Sequence, residues 1–281
     1  MSDIPATPGG ATDDARSVPA AAQVPAGTRF VRCVVDGAPA WGVLDGAEVA
    51  IVEPHPFATF APTGRRVGVE GLRLLAPVIP SKIVAAGKNY RDHAAELGGE
   101  VPDEPLLFLK PSTALLGPGD AVPLPVDISD EINFEGEVAV VIGALLSRVT
   151  PEVAAAGILG VTCANDLTLR DVQRRESQWF RAKGFDGSCP LGPAIATGLD
   201  LGALRVRTWV DGELRQDGTT ADLVFDIPTI VAEASRTMTL LPGDVVLTGT
   251  PAGVGPVRPG QRVRVEVDGV GALENPLVAR S

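Results

Sequence analysis

Glu135 and Glu137 stand two residues apart in Phe134-Glu135-Gly136-Glu137-Val138-Ala139-Val140-Val141-Ile142-Gly143, at the head of an otherwise apolar run. Side chains alternate across a strand, so both carboxylates project from one face. Like charges held that close repel, and burying even one unpaired carboxylate costs several kcal/mol at order of magnitude. A bare Glu-x-Glu is more often a solvated strand edge than a metal site. Here the six residues after Glu137 carry no polar side chain, which reads as a buried strand and calls for a cation between the acids. Asp166 follows a second predicted buried strand, Gly160 to Asn165, and would complete an all-oxygen ligand set with Glu135 and Glu137. Three carboxylates without soft ligands favour Mg²⁺ or Mn²⁺. In Asn165-Asp166-Leu167-Thr168 the same residue also reads as a helix cap, and spacing leaves both readings open.

His93, one of only two histidines, lies in Asn89-Tyr90-Arg91-Asp92-His93-Ala94-Ala95-Glu96. In a helical turn His93 and Glu96 share a face, and the carboxylate raises the basicity of the imidazole, giving a general base for water. The plain alternative is a solvated histidine beside an unrelated acid. Lys183, in Arg181-Ala182-Lys183-Gly184-Phe185-Asp186-Gly187, would neutralise a developing enolate or a substrate carboxylate if it lies beside a metal, although most lysines are surface charges. Thr248-Gly249-Thr250-Pro251-Ala252-Gly253-Val254-Gly255 is either an ordinary loop or a turn that offers backbone N–H groups and the Thr250 hydroxyl to an anion. It lacks the Lys-Ser/Thr ending of a phosphate loop, and no G-x-G-x-x-G opens a helix, so nucleotide binding is excluded. Cys163 reads as a small buried apolar residue.

The elements that must position these groups are mostly strands. Short β-like runs at Phe30 to Val35, Trp41 to Leu44 and Glu48 to Val52 are separated by Asp36-Gly37 and Asp45-Gly46, the signature of a meander. A strand at Lys82 to Ala86 leads into a polar loop, Gly87 to Glu104, too long to be a mere connection and expected to act as a lid that orders over substrate. Thr150-Pro151-Glu152 starts a short helix that Gly157 stops. A polar helix is predicted over Leu169 to Trp179 and another from about Asp226-Pro228 to Thr237. Val263, Val265 and Val267 alternate with charged residues before a hairpin at Asp268-Gly269. The helices are too sparse for a doubly wound sheet, so the fold class is α+β, mainly β. The expected division is a disordered tail over residues 1–27, a small N-terminal β domain over 28–78 and a catalytic domain over 79–281.

With 281 residues the chain can hold a large core and a smaller unit. A net charge of -11 argues against nucleic acid and anionic membranes as partners. Three cysteines with no Cys-x-x-Cys spacing indicate neither a disulfide framework nor a zinc site, and a reducing cytoplasm is expected. No apolar run reaches the roughly 20 residues of a membrane helix, and no export signal is visible.

Six segments taken together resemble the fumarylacetoacetate hydrolase family, in order and spacing from about Lys82 to Val278. They are Gly87-Lys88-Asn89-Tyr90-Arg91-Asp92-His93, Phe108-Leu109-Lys110-Pro111-Ser112, Phe134-Glu135-Gly136-Glu137, Asn165-Asp166 with Asp171-Val172-Gln173, Lys183-Gly184-Phe185-Asp186, and Thr248-Gly249-Thr250-Pro251. The resemblance implies a rolled, mainly β catalytic domain, usually a homodimer, with Glu135, Glu137 and Asp166 as ligands of Mg²⁺ or Mn²⁺. It implies His93 and Glu96 as a lid dyad, Lys183 as the catalytic lysine, and Lys110, Gln173 and Thr250 as pocket residues for a small 2-oxo acid. The implied reaction is cleavage of a C–C bond through a metal-stabilised enolate, as acylpyruvate hydrolysis or oxaloacetate decarboxylation. Isomerisation of a 2-hydroxyhepta-2,4-diene-1,7-dioate is the alternative within the family, and a non-catalytic anion-binding scaffold the alternative outside it.

Overall fold

The computed structural model describes residues 24–96 and 101–280, leaving aside the side chains of residues 93–95. A large sheet runs in the order Ala61–Gly68, Glu48–Glu53, Ala38–Asp45, Arg29–Val35, Cys189–Ala196, Ile158–Asn165, Gly136–Ile142, Val245–Leu247, Ile83–Gly87 and Leu106–Lys110. Most neighbours are antiparallel, and Ile83–Gly87 joins Val245–Leu247 in parallel. A second sheet orders Glu213–Thr219, Arg205–Val210, Arg262–Val267, Gly271–Ala279 and Val122–Leu124. A third, of three short strands, places Ile132–Phe134 between Thr168–Leu169 and Gly255–Pro256. The structure is mainly β, as the strand-rich sequence requires.

Two-residue periodicity in the central strand Gly136–Ile142 sorts its side chains onto two cores. Val138, Val140 and Ile142 join a cluster with Val206, Val263, Val265 and Leu273 of the second sheet, while Ala139 and Val141 join Ile83, Ala85, Leu191, Ile195 and Phe30. Each fully buried valine or isoleucine contributes about 1.5–3 kcal/mol, which fixes the register. A slip of one residue would turn Glu137 into the opposite core.

Among the described residues, short α-helices flank the sheets: α1 Arg91–Glu96, α2 Pro151–Ala156, α3 Arg170–Arg175, α4 Phe180–Lys183 and α5 Ile227–Thr237. In α2 the Thr150 hydroxyl accepts from Val153 N–H and Pro151 opens the helix, as predicted. Asp226 caps α5 by accepting from Thr229 N–H.

Several expectations need correction or extension. The segment over 28–78 carries its meander into the main sheet, where Arg29 and Phe30 pair with Ala196 and Ile195. Its fourth strand, Ala61–Gly68, was not expected; it is an exposed edge with little apolar patterning. Of the tail, residues 1–23 lie outside the described residues, whereas Gly27 N–H donates to Thr197 O and the Thr197 hydroxyl to Pro25 O. The expected helix over Leu169 to Trp179 is only α3, Arg170–Arg175, and the separate turn α4, Phe180–Lys183, follows it. The chain turns extended at Glu176 (φ -117°, ψ 138°), whose carboxylate takes an ion pair from Arg181. That break turns Lys183 inward, where it is buried.

Candidate active site

The predicted strand over Phe134 to Gly143 is interrupted at Glu135. Its N–H donates to Asn165 Oδ1 at 3.0 Å and its carbonyl accepts from Asp166 N–H at 2.8 Å, while Gly136 N–H leaves the ladder for Gln216 Oε1. These bonds lock the Glu135 turn against the end of the Ile158–Asn165 strand. A glycine is needed between the two acids, because a Cβ on Gly136 would lie 1.9 Å from Thr208 Oγ1.

The outcome is convergence: Glu135, Glu137 and Asp166 are all buried, and one ligand oxygen from each lies within 4.8 Å of the others. Asp166 is not a helix cap, since Leu169 occupies that position of α3. Its carboxylate instead accepts from Lys183 Nζ at 2.7 Å and Lys110 Nζ at 2.5 Å. Lys183 Nζ also donates to Glu135 Oε2 at 2.6 Å. Burial opposes the Lys183 charge, but Asp166 and Glu135 outweigh it and hold its pKa above the usual lysine value. For Glu137, burial and then the charges of Asp166 and Glu135 drive the pKa well above the carboxylate range. Its one backbone donor is Gly249 N–H, at 2.8 Å.

A cavity of about 220 Å³ opens onto this cluster, with Lys88, Glu135, Glu137, Arg170, Gln173, Arg174, Trp179, Lys183 and Thr250 in its wall. Glu135, Glu137, Lys183, Gln173 and Thr250 therefore reach one space. Lys110 does not line it; fully buried behind Asp166, it binds that carboxylate and the Lys183 carbonyl. It holds the Asp166 carboxylate and the Lys183 backbone in place. Thr250 is also committed, its hydroxyl donating to Gly136 O at 2.8 Å and accepting from Gln216 Nε2 at 2.7 Å. One backbone N–H of the glycine-rich turn, Gly249, donates to the Glu137 carboxyl.

The segment expected as a lid begins as helix α1, so the three-residue spacing of His93 and Glu96 does fall on a helical turn. The His93 side chain lies outside the described residues. Glu96 accepts from Gly253 N–H at 3.1 Å, which ties α1 to the turn that carries Thr250.

Arg170 is the residue that local sequence did not single out. It is buried; one Nη donates to Glu135 and the other to Gln173 Oε1 at 2.7 Å. The signal that could have found it is a position one turn from Gln173, where an arginine beside buried acids is more costly to leave unpaired than paired. Trp179, in edge contact with Phe108, forms another wall.

The donor set fits a divalent cation. Three hard oxygen donors converge in a buried space, with no sulfur or imidazole among them, the chemistry that suits Mg²⁺ or Mn²⁺. Three buried cations, Lys110, Lys183 and Arg170, pair with two of the three acids, Asp166 and Glu135.

Comparison with known proteins agrees with this geometry. Residues 82–278 match the family described as fumarylacetoacetate (FAA) hydrolase C-terminal, and residues 28–77 match Rv2993c-like, N-terminal. Protein Rv2993c of Mycobacterium tuberculosis is 47% identical over 232 residues, 82% of this chain and 87% of that protein. Oxaloacetate tautomerase YisK of Bacillus subtilis is 40% identical over 218 residues, 73% of this chain and 72% of its own length. The crystal structure of 2-hydroxyhepta-2,4-diene-1,7-dioate isomerase from Mycobacterium marinum superposes with a TM-score of 0.84 at 40% identity, covering 90% of this chain and 99% of that one.

Proposed function

The chain belongs to the fumarylacetoacetate hydrolase C-terminal family, and from that premise we propose that it is a Mg²⁺- or Mn²⁺-dependent enzyme of short 2-oxo dicarboxylates, moving a proton between C3 and the C2 oxygen. The observation that carries this reading is the Lys183 ammonium, held buried between Glu135 and Asp166 at 2.6 and 2.7 Å in the wall of a small cavity.

Glu135, Glu137 and Asp166 would hold the metal, which when bound supplies Lewis-acid stabilisation of negative charge on a 2-oxo acid. Lys183 and Arg170 bring fixed positive charge to the same space, which favours the charge that develops on the C2 oxygen as the C3 proton leaves. Lys110 and Gln216 hold Asp166 and the Thr250 turn in place, so little reorganisation accompanies the reaction. The basic residues of the wall favour an anionic ligand, and the cavity volume favours a short one.

A relative named as an oxaloacetate tautomerase and a neighbour named as a dienedioate isomerase both support proton transfer at carbon. A second reading, cleavage of the C3–C4 bond by acylpyruvate hydrolysis or by decarboxylation, is favoured by α1. That helix sets His93 one turn from Glu96 and docks beside Thr250, where a base could activate water.

The test follows the enol of oxaloacetate by ultraviolet absorbance, alongside acylpyruvate hydrolysis and oxaloacetate decarboxylation, with Mg²⁺, with Mn²⁺ and with chelator. Enol–keto exchange faster than buffer, and lost on chelation, is expected. Turnover of acylpyruvates alone would replace the first reading by the second, and turnover of none would remove both.

A further inference from the structure

Four basic residues line the cavity: Lys88, Arg170, Arg174 and Lys183. Three are committed. Arg170 binds Glu135 and Gln173, Arg174 makes a two-pronged pair with Glu131, and Lys183 bridges Glu135 and Asp166. Lys88, half-buried in the same wall, has no hydrogen-bond or ion-pair acceptor among the described residues.

Its backbone is unusual as well. Lys88 has φ 54°, the left-handed region that a long side chain enters only against a steric cost. Such a conformation persists where neighbours over-determine it, and here they do on both sides. Gly87 packs against the Trp179 ring, where a Cβ would come within 2.7 Å of the indole. The Asn89 side chain is clamped by three hydrogen bonds: its Nδ2 donates to Phe225 O at 3.0 Å and Thr248 O at 2.9 Å, and its Oδ1 accepts from Phe225 N–H at 2.9 Å. The Lys88 Cα is thus pinned at the cavity wall, and its ammonium is the cation left over once the carboxylate cluster is satisfied.

We propose that Lys88 binds the distal carboxylate of the substrate and so sets the preference for 2-oxo dicarboxylates over 2-oxo acids with a neutral far end. The inference rests on the proposed reading of this cavity as a 2-oxo acid site. The glutamates, Asp166, Arg170 and Lys183 crowd the end where a C1 carboxylate and C2 oxygen would sit. A second carboxylate on a short substrate then meets the wall, where an unpaired cation gains a charge-assisted bond. Asparagine adopts left-handed φ more readily than most residues, so Lys88→Asn removes the charge without adding backbone strain, and Lys88→Arg keeps the charge.

The experiment compares wild type, Lys88→Asn and Lys88→Arg, all loaded with Mn²⁺ and all checked by melting temperature. Turnover of oxaloacetate is set against turnover of its 4-methyl ester. Calorimetric binding of malate, which has both carboxylates but cannot enolise, is set against binding of oxalate, which lacks the far end. Lys88→Asn should raise the oxaloacetate KM and the malate Kd by at least about tenfold, the loss expected for one charged hydrogen bond. The ester and oxalate should change by less than about twofold, and Lys88→Arg should stay near wild type. Equal losses for all four compounds, or none, would overturn the assignment. If wild type turns over neither oxaloacetate nor its ester while malate binding still depends on Lys88, the enolisation reading falls and the anion subsite stands.

Discussion

The Lys110 ammonium lies 2.5 Å from Asp166 Oδ1, and the two side chains are 0% and 2% exposed. Asp166 is thereby shared between a lysine that faces the cavity and one that does not. Removing one partner of a buried pair leaves the other charge uncompensated, at a cost of about 3–5 kcal/mol. Lys110→Met should therefore lower the melting temperature by about 10 °C in a chain of this size, and should also loosen Asp166 as a ligand. Differential scanning calorimetry gives the first result and Mn²⁺ titration the second. A variant that melts and binds metal like wild type would show that Lys110 carries no such load.

The carboxylate cluster gives a direct test of metal binding. Glu137→Ala and Asp166→Ala each remove one of three convergent oxygen donors and should weaken Mn²⁺ binding beyond detection by titration calorimetry, with activity lost in parallel. Chelation of the wild type should abolish activity in the same way. Unchanged Mn²⁺ affinity in both variants would sink the ligand assignment.

What the sequence revealed about this site followed from how local each signal is. Glu137 heads an unbroken apolar run and Asp166 follows a second one, so the sequence marked both strands, whereas the turn at Glu135 that brings the acids together depends on hydrogen bonds to Asn165 and Asp166. The pairing of Gly136 with Asn165 across the two strands completes that logic. Arg170 and Lys110 gave no comparable local signal, because their value lies in acids 35 and 56 positions away. The break at Glu176 was hidden for the same reason: helix-compatible residues run through it, and the ion pair with Arg181 forms only once the chain has turned. The edge strand Ala61–Gly68 was missed because an exposed edge needs no apolar alternation.

Helix α1 bears on the division between proton transfer and hydrolysis. If His93 activates water, His93→Ala should reduce acylpyruvate hydrolysis by about 10²–10⁴-fold and spare oxaloacetate decarboxylation, which needs no water nucleophile. Lys183→Ala should impair both, since both develop charge at the C2 oxygen. Steady-state rates for the two substrates, measured side by side in each variant, decide the matter. Comparable losses of both activities in His93→Ala would contradict this division.

The buried thiols predict how stability fails at high pH. Burial, ahead of any neighbouring charge, pushes Cys163 and Cys189 from an ordinary 9.0 up to about 12. The folded chain therefore keeps both protons where the unfolded chain releases them. Their contribution to stability is complete below pH 9.0 and is lost as pH rises from there toward about 12. Each thiol should contribute a slope approaching about 1.4 kcal/mol per pH unit within that window. Urea unfolding measured between pH 8 and 10.5 should show stability falling more steeply in wild type than in a Cys163→Ala, Cys189→Ala double variant. The variant starts lower, because it loses packing at two sites without solvent access, so the comparison is between slopes and not absolute values. Parallel pH dependences would mean that neither thiol is held protonated by its burial.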